Sequence, residues 1–112
     1  MIISNTTISR PVLKSSSARE TGGLSGKPLF DLSTQQLARF HKMTSGKIPL
    51  VGVGGVCDVE TAWAKIRAGA SLVQLYSALV YQGPALVPEI CRGLERKLKT
   101  GGITNMLDAV GR

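Results

Sequence analysis

Ile48-Pro49-Leu50-Val51-Gly52-Val53-Gly54-Gly55 is the stretch on which the fold turns. It is a short apolar run without polar alternation, and it ends in glycine. Such a run reads as a strand buried on both faces, the habit of parallel sheets. Gly52, Gly54 and Gly55 gather where the run ends. Glycines there allow a tight turn and let a ligand approach bare N–H groups. Ser71-Leu72-Val73-Gln74-Leu75-Tyr76-Ser77 repeats the pattern, with Tyr76-Ser77 as its polar tip. Gln74, inside that second run, is expected to need a hydrogen-bond partner.

Helices flank both runs. Ser33 to Met43 reads as a helix in which Ser33 and Gln36 resemble a capping box and Leu37 and Phe40 face inward. Asp58 to Ala68 is the next, with Asp58 as N-cap and Gly69 as stop. Val59, Ala62, Trp63 and Ile66 share one face of it, so Trp63 is expected as a core anchor. Lys65 and Arg67 suit the C-terminal end as cations facing the helix dipole. Gly83-Pro84 opens a last long helix whose Leu86, Ile90, Leu94 and Leu98 recur every fourth residue. Val87 and Cys91 lie alongside that stripe, and Cys91 is expected to be buried. Ile103 to Val110 reads as a short closing helix packed through Ile103, Leu107 and Val110.

Upstream, Met1-Ile2-Ile3 looks like the end of a strand. A strand with nothing before it suggests that Met1 is an internal methionine of a longer protein. Ser4-Asn5-Thr6-Thr7 follows at the strand exit, where its hydroxyls and amide can face a ligand. Taken locally, a capped turn explains those residues better. Ser9 to Glu20 reads as a long exposed loop. Thr21-Gly22-Gly23-Leu24-Ser25-Gly26 is equally a backbone nest for an anion or a flexible corner.

The order is strand, loop, helix, strand, helix, strand, helix. Alternating units of this kind argue for an α/β protein with a parallel sheet and helices outside it. Right-handed crossovers bring the strand exits to one side, so Asn5, Gly54, Gly55, Tyr76 and Ser77 are expected on one rim. Ligands bind at that rim in such folds. Two consecutive buried strands that open into these loops look like the phosphate grip after the last two strands of a (β/α)8 TIM barrel. A complete barrel needs about 250 residues, and the chain has 112. The expected fold is therefore a partial barrel comprising roughly the last three βα units.

Composition narrows the function classes. Hydrophobic residues are 43% and aromatics only 4%, so the core must be aliphatic. The net charge is +7, but Lys and Arg are scattered, and only Arg96-Lys97-Leu98-Lys99 is dense. Without an RNP-like aromatic motif or zinc-finger spacing, this reads as a solvated basic face rather than a nucleic-acid partner. Cys57 and Cys91 lack partners at metal spacing, and His41 reads as an exposed helix residue. No signal peptide and no apolar stretch of membrane-spanning length is present.

Four segments taken together carry a resemblance. They are Ser4 to Pro11, Glu20 to Leu29, Gly52-Val53-Gly54-Gly55 and Arg67 to Ser77. In this order and spacing they resemble the C-terminal part of class 2 dihydroorotate dehydrogenase, the quinone-dependent, membrane-associated flavoenzyme of pyrimidine synthesis. The resemblance runs through to Gly101-Gly102-Ile103. It implies a (β/α)8 barrel holding FMN, hydride transfer from dihydroorotate to the flavin, and reoxidation by ubiquinone. It implies Asn5 and Thr6 as partners of orotate. Ser4, Gly26, Gly54, Gly55, Tyr76 and Ser77 would line FMN, with Gly55, Tyr76 and Ser77 near its phosphate. No metal is implied. The catalytic serine, the first strands and the quinone tunnel are expected upstream of Met1. The chain alone is therefore expected to be inactive and to need the missing N-terminal part of the barrel. Localisation by family is the bacterial cell membrane or the mitochondrial inner membrane. Two other readings stay open at this point: another FMN or sugar-phosphate barrel, and a non-catalytic half-barrel subunit.

Overall fold

A computed structural model describes residues 2–3 and 29–112. Three parallel strands lie side by side in chain order: β1 (Ile2–Ile3), β2 (Leu50–Val53) and β3 (Ala70–Gln74). Helix α1 (Phe30–Met43) leads into β2, and α2 (Val59–Ala68) joins β2 to β3. After β3 come α3 (Ser77–Gln82), α4 (Leu86–Thr100) and a 3-10 helix over Met106–Ala109. Strand–helix alternation with parallel neighbours matches successive βα units of a (β/α)8 barrel.

Register fixes which end is which. Ile2 pairs with Val51 and Ile3 with Gly52. Val51 pairs with Leu72 and Val53 with Gln74, after an irregularity between Leu50 and Val51. All three strands therefore run out toward the same edge. Leu50 and Ala70 turn toward α1, where they form a buried cluster with Leu37. A second cluster joins Val56, Ala62, Ala78, Leu86 and Ile90 beneath α2, α3 and α4.

The strands are not buried on both faces, contrary to the sequence reading. Ile2 is 60% and Leu72 67% exposed, and Val51 between them is half-buried. Among the described residues the helices cover one face only. Gln74 lies on the open face and is exposed, so it carries no buried polar group that needs a partner.

Local chemistry explains the helix limits. Asp58 Oδ1 accepts from the Thr61 N–H at 2.8 Å, and Thr61 Oγ1 accepts from the Asp58 N–H at 3.1 Å. This closes a capping box in which Thr serves at the third position. At the far end the chain terminus doubles back over α2. The Gly111 N–H donates to Ile66 O at 3.0 Å, and Arg67 Nε donates to Arg112 O at 2.6 Å.

Helix α1 begins at Phe30, so Ser33 lies within it and is no cap. Residues 77–82 form a separate helix, and the long helix starts at Leu86, past Pro84. Cys91 is exposed, because the buried positions of α4 are Leu86, Ile90 and Gly93. Trp63 is half-buried, with Lys97 Nζ 6.0 Å from its ring. His41 is half-buried against the backbone at Gly69. Leu107 is exposed, and Ala109 is the buried residue of the closing turn.

Candidate functional site

Strand β2 exits into the Gly54–Gly55 turn. Gly54 has φ +104° and Gly55 φ +76°, values that suit glycine and strain other residues. A Cβ at Gly54 would stand 2.7 Å from Ser33 Oγ, and one at Gly55 would strike Phe30. The turn is thus pressed against the first turn of α1, with Gly54 half-buried and Gly55 buried. Among the described residues no acceptor takes the N–H of Gly55 or Val56. Such a bent, donor-bearing backbone suits an anion.

Tyr76 and Ser77 reach the same edge. They follow Gln74, and Gln74 is the register partner of Val53, the residue before Gly54. Tyr76 is 77% exposed there, and Ser77 is the first residue of α3. Ser4, Asn5, Thr6 and Gly26 lie outside the described residues. The structure therefore brings Gly54, Gly55, Tyr76 and Ser77 to one edge.

Gly52 has a different role from its neighbours. It lies inside β2 and faces the helices. A Cβ there would stand 3.0 Å from Ala70 Cβ and 3.2 Å from both Leu37 Cδ2 and Lys65 Cβ. Its missing side chain is room for Lys65, not for a ligand.

Lys65 and Ser33 are residues that sequence reasoning misplaced. Lys65 is fully buried, at 0% exposure, as is Ser33. Helical side chains lean toward the helix N-terminus, and Lys65 stretches that way from the end of α2 to the strand-exit edge. Its Nζ donates to Ser33 Oγ at 2.5 Å and lies 4.9 Å from the centre of the Phe30 ring. Ser33 Oγ has two carbonyls within reach of its one hydrogen, Phe30 O at 3.1 Å and Gly54 O at 3.2 Å. Burial pulls the Lys65 pKa from 10.5 down to about 8, and the Asp31 carboxylate resists that fall. Spacing held the signal for both residues. Lys65 is i+3 from the core residue Ala62, and Ser33 is i−4 from Leu37.

Residues 1–98 match the family model for dihydroorotate dehydrogenase. The chain belongs to the dihydroorotate dehydrogenase family. It is 58% identical over 111 residues to a dihydroorotate dehydrogenase (quinone) of Novosphingobium aromaticivorans, covering 99% of this chain and 32% of that protein. A protein of the same name from Azorhizobium caulinodans is 58% identical over 112 residues, again over 99% of this chain and 32% of its own length. The ligand-free crystal structure of the dihydroorotate dehydrogenase of Eimeria tenella superposes with a TM-score of 0.93 at 42% identity, over 98% of this chain and 31% of that one. This family member thus spans about a third of the length of the curated relatives it matches. Its family implies a flavin in general terms. No described helix is long and apolar enough to cross a membrane, and no described cluster of His, Cys, Asp or Glu could hold a metal.

Proposed function

We propose that residues 1–112 are the C-terminal segment of an FMN-binding, quinone-dependent dihydroorotate dehydrogenase barrel. In this reading they supply part of the FMN and orotate sites for pyrimidine synthesis. The observation that carries the proposal is the delivery of two tips, Gly54–Gly55 and Tyr76–Ser77, to one edge by neighbouring parallel strands. Their backbone fits the tail of FMN. A dianionic phosphate is well held by N–H groups at a turn made of glycines. Gly54, Gly55, Tyr76 and Ser77 would hold that phosphate. Ser4 and Gly26 would flank the flavin, and Asn5 and Thr6 would hydrogen-bond the orotate ring and its carboxylate. Bound there, the flavin supplies the hydride acceptor for dihydroorotate and the electron store that quinone empties. These residues bind and orient; the proton-abstracting serine belongs to another part of the barrel. Quinone access and membrane association are assigned to that other part too.

The test joins this chain to the upstream two-thirds of the Novosphingobium relative, replacing its own last third. The joined protein is expected to retain FMN through gel filtration and to reduce a quinone dye with dihydroorotate. The 112-residue chain alone is expected to do neither. A joined protein that folds but retains no flavin would overturn the proposal.

A further inference from the structure

Behind the Gly54–Gly55 turn lies a chain of donors that the proposed chemistry does not use. Lys65 Nζ donates to Ser33 Oγ, which in turn lies in reach of Gly54 O. All of it is on the α1 side of the turn. A trans peptide is planar, and its carbonyl and the next N–H point in opposite directions. Holding Gly54 O against α1 therefore aims the Gly55 N–H away from α1. Hydrogen bonds in such a series polarise one another in the same sense. The lysine occupies an oxygen lone pair of Ser33, which leaves the hydroxyl hydrogen to be shared between Gly54 O and the α1 carbonyl of Phe30.

We infer that Lys65 is a positioning residue for anion capture: through Ser33 it fixes the Gly54–Gly55 peptide so that the Gly55 N–H meets the phosphate of a flavin nucleotide. Lys65 does not touch the ligand. Its buried charge lies behind the turn, where a direct phosphate contact is blocked by Ser33 and the Gly54 backbone. Gly52 belongs to the same device, because its bare Cα leaves the passage through which the lysine stem runs. The inference rests on the reading of this edge as an FMN-phosphate site. Its substance is local, however, and can be read without any ligand.

The test uses the joined full-length protein, with Lys65→Met and Ser33→Ala. Lys65→Met keeps the apolar stem and removes the donor; Ser33→Ala removes the link. Affinity is measured for FMN and for riboflavin, which lacks the phosphate. Each substitution is expected to weaken FMN by about tenfold while riboflavin changes little, the loss of one hydrogen bond to a charged group being of that order. Equal losses for both flavins would show a merely structural lysine and overturn the inference, as would no loss for either. The amide 15N resonance of Gly55 gives the ligand-free measurement. It is expected to move in both variants, because it senses the hydrogen bond on the Gly54 carbonyl. If the unsubstituted protein bound neither flavin, the functional reading would fall. A Gly55 resonance that stayed in place would overturn the positioning role by itself.

Discussion

A lysine with no exposed surface is costly unless its charge is met. Lys65 meets a hydroxyl, an aromatic face and the field of Asp31. Its pKa, lowered to about 8 by burial, has a consequence for stability. Between that value and 10.5 the unfolded chain holds a proton that the folded chain has shed. Stability from this group therefore rises with pH across the window. Urea unfolding of the joined protein on either side of the window is expected to show that rise, and Lys65→Met is expected to remove it. A rise of the same size in the variant would assign it to another group. Gly55 allows a second residue-scale prediction. Gly55 and Gly83 both have positive φ, but only Gly55 is crowded, by Phe30. Gly55→Ala is expected to destabilise by about 1–3 kcal/mol more than Gly83→Ala, the usual cost of overpacking. Equal thermal shifts would mean that Phe30 can move aside. Asn5→Ala in the joined protein is expected to weaken orotate far more than FMN, and equal loss of both would remove Asn5 from the orotate site. At this scale the sequence was only partly legible. The Gly54–Gly55 turn was readable because two glycines after an apolar run leave few alternatives. Lys65 and Ser33 were misread because each also suits a helix end, and only tertiary packing decides between a solvated cation and a buried one.

Elements were easier to read than side chains. Helix α2 begins after Asp58 and stops at Gly69, as its punctuation indicates. The partner that closes its box is Thr61, not an acidic residue. Asp58→Ala is expected to cost about 1 kcal/mol by urea unfolding, the ordinary loss for a helix N-cap. No measurable loss would mean that other partners of the helix start suffice. Residues 77–82 were hidden because a six-residue helix has too few turns to show a period. Cys91 was misplaced for a related reason. On α4 the buried line runs through Leu86, Ile90 and Gly93, and the glycine that marks the closest approach to α2 has no hydrophobic signature.

For the whole molecule the deciding feature is the open face of the sheet. Ile2, Val51 and Leu72 form a cross-strand apolar row that nothing described covers. In a closed barrel that face points into the packed interior. The strands looked doubly buried in sequence because their composition reflects such a closed environment. What these residues alone bury is one face of it. The 112-residue chain, prepared by itself, is expected to associate through this row, seen as high-mass species in light scattering. Leu72→Lys is expected to reduce that association, since a charge on an exposed strand face opposes it. An unaltered mass distribution would place the sticky surface elsewhere.

The backbone clip from Gly111 and Arg112 to the end of α2 has a practical outcome. It parks Arg112 at the end of α2, the end opposite the one that follows the Gly54–Gly55 turn. A fluorophore or a biosensor tether coupled at Arg112 would therefore leave the Gly54–Gly55 edge unobstructed.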